Sequence, residues 1–136
     1  MGKHDLKYLI VCIGLILLSS TQLCAQENRI NSINKSIENS EWAKFSNYCQ
    51  ETISLSVQDS RGNFSKTQAR YILADFFKKN PAIKITLIRS NKISDRFYYS
   101  ILESKTKNKL FNIYYTIQKT EDSFLINEIQ IKEKSK

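Results

Sequence analysis

Histidine, proline and glycine are nearly missing from this 136-residue sequence, which has one, one and three of them. The single histidine, His4, lies in a segment that reads as a removable leader, so the rest of the chain offers no imidazole. That excludes histidine triads, histidine general bases and histidine metal sites there. Gly2, Gly14 and Gly62 are too dispersed to form a phosphate-cradling loop. With one proline, Pro81, and no low-complexity block, no interdomain linker is visible, and the length suits one domain. Cysteine is also scarce. Cys12 and Cys24 fall in the leader and Cys49 stands alone, so the remainder can form no internal disulfide and has to hold by packing. Cys49 reads as a small buried hydrophobe, not a reactive thiol.

The leader is the first feature that is present. In "MGKHDLKYLIVCIGLILLSSTQLCAQ", Lys3 and Lys7 precede an apolar run from Tyr8 to Leu18, and small and polar residues follow up to Ala25. This is the layout of a signal peptide over residues 1–25, with cleavage before Gln26 and a single domain over 26–136. The run is shorter than the roughly 20 residues that a membrane helix needs, so no transmembrane span is expected in the mature chain. Acylation of Cys24 is a weaker alternative because Leu23, just before it, is not small. The expected location is the periplasm or the extracellular space.

Charge is strongly of one sign. Lys and Arg number 21 against 13 acids, a net +8; without Lys3, Asp5 and Lys7 the count is 19 against 12, or +7. Lys105, Lys107 and Lys109 in one turn, with Lys78, Lys79, Lys84, Arg89, Lys92 and Arg96, could meet a polyanion. The lysines are spread along the chain and no nucleic-acid motif accompanies them, so nucleic acid is not the expected partner.

Periodicity orders the domain. Ile30, Ile33 and Ile37 mark one helical face within 26–49, and Ser40 is placed to cap a second short helix burying Trp42, Phe45 and Tyr48 or Cys49. "ISLSVQ" (53–58) alternates as a strand, and "DSRGN" reads as a turn broken by Gly62 and Asn63. In "SKTQARYILADFFKKNP" (65–81), Ser65 and Gln68 fit a capping box, and Ala69, Ile72, Leu73, Phe76 and Phe77 share a face. Lys78 and Lys79 suit the helix C-terminus, and Pro81 stops it. Four strands follow: "IKITLIRS" (83–90), with Ile83, Ile85 and Leu87 on one side; "RFYYSILES" (96–104); "LFNIYYTIQ" (110–118); and "FLINEIQIK" (124–132), with Leu125, Ile129 and Ile131 on one side and Glu128 on the other. Short connections predict an antiparallel meander.

An apolar sheet face needs cover, and the helices are the only candidates, giving an α+β fold in which a strongly curved antiparallel sheet wraps helices. With its leader, its "ISLSV" strand, "SKTQA…FF…NP" and the terminal "INEIQIK", the chain resembles the nuclear transport factor 2-like, or cystatin-like, α+β cone superfamily. Within it, the chain is most similar to the short secreted bacterial proteins catalogued as domain of unknown function 4783. That family lends no catalytic role to any residue. The wider superfamily includes isomerases and dehydratases that use an acid or histidine inside the cone.

No buried acid is evident from the pattern: Asp75 and Glu128 fall off the apolar faces, and Asp95 and Glu103 sit near strand ends. No cofactor, metal or catalytic residue is therefore expected. Phe76, Phe77, Phe97, Tyr99, Phe111 and Tyr115 could line a pocket for a small apolar ligand, with Arg89 at its rim, or could simply fill the cone. The other parity, Tyr98, Leu102 and Tyr114, would then lie outside, where a homodimer could form across the open sheet face. The expectation is an exported, non-catalytic ligand-binding or protein-interaction module of the cell envelope. The runner-up is an isomerase or dehydratase of the same fold.

Overall fold

The computed structural model describes residues 2–135, with residues 15–24 described by their backbone alone. Leu23 and Cys24, on which the lipidation reading turns, therefore lie outside the described side chains. The chain divides into two compact units, Met1–Ser32 and Ile33–Lys136. Helix α1 (Lys3–Glu38) begins in the first, where Leu6, Tyr8, Leu9, Ile10, Val11 and Ile13 are exposed. Among the described residues no helix is long and apolar enough to cross a membrane.

The second unit holds the end of α1, then α2 (Trp42–Ser46), β1 (Cys49–Val57), β2 (Ser60–Ser65), α3 (Lys66–Lys79), β3 (Lys84–Lys92), β4 (Phe97–Lys105), β5 (Leu110–Lys119) and β6 (Phe124–Glu133). One six-stranded sheet runs in the order β2-β1-β6-β5-β4-β3. Strands β3 to β6 form the expected antiparallel meander. Strand β1 lies parallel to β6 and makes a hairpin with β2, so helix α3 connects the two margins of the sheet.

Helix α3 follows its sequence closely. The Ser65 hydroxyl accepts from the Gln68 amide at 3.1 Å, and the Gln68 side chain accepts from the Ser65 amide at 3.0 Å. Ala69, Leu73, Phe76 and Phe77 are buried on the sheet side. At the other end Asn80 turns both its amides to the Phe76 carbonyl, just ahead of Pro81. The core between helices and sheet includes Ile33, Ile37, Phe45, Leu55, Leu73, Leu102, Ile113, Ile117, Ile126 and Ile129, all essentially inaccessible.

Several expectations need correction. Ser40 does not cap α2, whose N-cap is Glu41 without a side-chain bond. Ser40 instead ends α1: it takes φ +56°, its amide donates to the Ile37 carbonyl at 3.1 Å, and the Glu41 amide donates to the Ser36 carbonyl at 2.8 Å. This pair of bonds is a Schellman ending with serine at the left-handed position usually held by glycine. The "DSRGN" stretch is mostly strand. The chain reverses at Gln58 and Asp59, with Gln58 at φ +52°, and Gly62 sits within β2 at φ +145°, a conformation only glycine adopts freely.

The faces of two strands also differ from the expectation. In β6 a register irregularity against β5 puts Ile126, not Leu125, on the buried face with Ile129 and Ile131. Glu128 does lie on the opposite face, beside Ser54 and Thr116. In β4 the phase is reversed: Tyr98, Ser100, Leu102 and Ser104 are buried, while Phe97, Tyr99 and Ile101 lie on the outer face. The outer set is the more hydrophobic, so hydropathy alone points the wrong way. Volume decides the phase, because Ser100 pairs with Tyr115 and Ser104 with Phe111, small residues beside large rings.

Two substitutions test this packing by urea denaturation. Ile117→Ala, at 0% exposure, should cost about 2–5 kcal/mol. Ser40→Gly should stabilise by up to about 1 kcal/mol, since relief of left-handed strain exceeds glycine's added chain entropy. A neutral Ile117→Ala or a destabilising Ser40→Gly would contradict the assignment.

Candidate functional site

The seven residues singled out from sequence do not line one pocket. Phe76, Phe77, Phe111 and Tyr115 are buried on the inner face. Trp42 stacks on Phe77 at 4.8 Å between centroids, Phe77 meets Phe76 edge-on at 5.0 Å, and Phe76 meets Phe111 at 5.1 Å. These rings form a continuous aromatic ladder from α2 through α3 to β5, and Trp42 is a core anchor. Phe97, Tyr99 and Arg89 belong to the outer face, where Tyr99 stacks on Tyr114 at 6.1 Å and Arg89 pairs in register with Ile101. Arg89 arrives there through a bulge between Leu87 and Arg89, an extra residue that sequence parity does not register.

A polar line crosses the inner face. The Tyr115 hydroxyl donates to Asn34 Oδ1 at 2.7 Å, and both side chains are buried. Ser100 stands opposite Tyr115 in register, beside the same phenol. The Ser90 and Ser100 hydroxyls are in close contact. The line runs from exposed Ser90 on β3 through β4 and β5 to the end of α1. Asn34, Ser90 and Ser100 were not among the candidates from sequence. Asn34 had a legible signal, being polar on the face marked by Ile30 and Ile37.

The line is built to hold a shape and carries no acid. Among the described residues no aspartate or glutamate is buried, and no group of three His, Cys, Asp or Glu could hold a metal. Burial pushes the Tyr115 phenol well above its ordinary 10.0, with Ser100 opposing. Burial likewise pushes the Cys49 thiol from 9.0 to about 12, with Lys66 pulling the other way. Ser104 Oγ is buried and is the one such side-chain atom without a partner among the described residues.

The open part of the molecule is the β3 margin. Ile83, Leu87, Ile88 and Ile93 are 70%, 43%, 56% and 56% exposed, and Lys84, Arg89 and Lys92 lie among them. Lys92 is paired with Asp95 at 2.7 Å. Lys84 lies opposite Lys105 in register, two cations side by side. Of the other lysines expected to form a basic cluster, Lys79 is bound to Asp75 at 2.8 Å and Lys109 to Glu133 at 3.0 Å. A groove of about 530 Å³ beside the margin is lined by Lys79, Pro81, Ile83 and the Thr106–Lys109 turn.

Tyr115→Phe leaves the Asn34 carbonyl oxygen buried without its donor and should cost about 1–3 kcal/mol, whereas Ser104→Ala removes an unpaired hydroxyl and should be neutral or stabilising. Equal losses in urea denaturation would contradict the pairing. Cys49 and Tyr115 are both neutral when protonated, and both titrate higher folded than unfolded. Their stabilisation is therefore complete below about pH 9 and is lost as pH rises toward the folded values. Urea midpoints should fall above pH 9, and Cys49→Ala should flatten that fall; a midpoint that rises there would contradict the burial.

Comparison with known proteins agrees with this architecture. The family described as domain of unknown function (DUF4783) matches residues 30–132. A crystal structure of a DUF4783 family protein from Bacteroides ovatus superposes with a TM-score of 0.70 at 21% identity, covering 77% of this chain and 94% of that one. One from Bacteroides uniformis gives 0.71 at 17% identity, covering 78% and 97%. An NTF-2 like protein of unknown function from Burkholderia xenovorans gives 0.61 at 4% identity, covering 81% and 83%. No curated protein matches the chain. The fold is thus the nuclear transport factor 2-like cone, and the chain belongs to the family of proteins sharing the domain of unknown function DUF4783.

Proposed function

We propose that this protein is an exported, non-catalytic module of the cell envelope that binds a protein partner along the β3 margin. The observation that carries the reading is the run of exposed Ile83, Leu87, Ile88 and Ile93 on one edge of the domain. Apolar groups gathered in this way favour a contact surface. Export is supported by the order of Lys3, Lys7, the apolar run and Ala25, with the mature chain starting at Gln26.

Other readings receive less support. Phe76, Phe77, Phe111 and Tyr115 are spent on packing, which disfavours a small apolar ligand among them. An isomerase or dehydratase needs a proton-transfer group inside the cone, and the acids found are exposed or half-buried. A homodimer across the outer sheet face has one observation in its favour, the Tyr99–Tyr114 stack with half-buried Phe97 and Ile101 beside it.

Site-specific photo-crosslinking in the native envelope tests the choice. A benzophenone side chain at Ile88 should give a discrete protein adduct, and one at Gln58 on the far hairpin should give none. Adducts from Ile101 alone would move the interface to the outer sheet face, and the absence of adducts from either site would overturn the reading. Intact mass of the recovered chain should match Gln26–Lys136.

A further inference from the structure

We infer that β3 takes an acidic, extended segment of another protein as an added strand. The inference rests on the protein-binding reading above and names the chemistry of the partner. β3 is a terminal strand whose sheet pairing is with β4 alone, so its outer row of backbone amides and carbonyls is open to pairing, apart from the Lys92 amide, which donates to Asn91 Oδ1 at 2.8 Å. Such a row is a template for one more strand, with backbone bonds giving affinity and alternate side chains giving selectivity.

Charge selects the occupant. β3 carries Lys84, Arg89 and Lys92 and no acid. Among the described residues Lys84 and Arg89 have no ion-pair partner, and Lys105 stands directly beside Lys84. An incoming strand with aspartate or glutamate alternating with apolar residues would relieve the Lys84–Lys105 repulsion while covering Leu87 and Ile88. A second copy of β3 is a poor occupant. Antiparallel self-pairing about Ile88 sets Leu87 against Arg89 twice and Lys84 against Lys92 twice, the latter already engaged by Asp95, so apolar groups face cations and no new ion pair forms along the strands. The bulge beside Ile88 further spoils a symmetric pair. The features that guard this edge against its own kind therefore leave it open to a strand of opposite charge.

The test is display of a random ten-residue peptide library against the folded chain, followed by anisotropy of the best peptide, synthesised with a fluorescent label. The inference expects selected peptides rich in Asp and Glu alternating with apolar residues. Binding should weaken at least about tenfold in Lys84→Glu/Arg89→Glu, and similarly in Leu87→Pro, which removes an edge amide. A scrambled peptide of the same composition should bind weakly; equal binding would mean a polyanion site and would overturn strand addition. Neutral or basic selected peptides that still lose binding in Leu87→Pro would overturn the acidic occupant while leaving β3 as the interface. Peptides indifferent to all β3 substitutions, or no enrichment, would overturn this inference. Concentration-dependent dimers by light scattering that Leu87→Lys abolishes would make the occupant a second copy, again against the inference but not against β3 as an interface.

Discussion

The bond between Tyr115 and Asn34 fixes how the end of α1 seats on the centre of the sheet. A buried phenol has to find a partner, and an amide on an isoleucine-rich helix face has to find one too. At 2.7 Å each answers the other. The large ring then demands a small neighbour on β4, which Ser100 supplies, and Ser104 does the same beside Phe111. That requirement for space decides which face of β4 looks inward, and with it the faces of β3 and the outer sheet. One hydrogen bond between dissimilar groups thus specifies register in a core otherwise made of interchangeable isoleucines and leucines.

Much of the fold was legible because local signals agreed. Helix α3 carried a capping box, an apolar stripe and an Asn-Pro stop, and all are in place. The meander was legible from alternation and short turns. What escaped was non-local. The parallel pairing of β1 with β6 joins segments about seventy-five residues apart and leaves no local trace. The β4 phase could not be read because "RFYYSILES" is apolar on both parities, and the choice depends on the volume of residues on β5. Bulges near Ile88 and in β6 shifted the faces of Arg89 and Ile126 in a way that strict alternation cannot carry. The Ser40 assignment failed for a different reason: serine is a good cap, but its position after α1 was taken first by a helix ending.

The candidate site was less legible than the fold. The sequence offered aromatic residues, and the structure divides them between a filled interior and an outer face. Its open apolar surface lies instead on β3, whose isoleucines and leucine look like ordinary strand residues until the sheet order makes that strand an edge. The balance of the molecule follows from this arrangement. Helices α2 and α3 and the end of α1 supply the inner cover, and the aromatic ladder locks them to β5. On the margin, charge rather than cover keeps the edge from meeting its own kind. The exposed Lys92–Asp95 pair adds little stability, and the charge on β3 is left to Lys84 and Arg89.

The inner face is closed by packing, and the β3 edge is open. Residue-resolved amide hydrogen exchange on the folded chain tests this most directly. This arrangement predicts slow exchange, at the limit set by global unfolding, for the paired amides of β5 and β6, and fast exchange for the outward amides of β3. Protection of the outward β3 amides equal to that of β5, or rapid exchange around Tyr115, would contradict it.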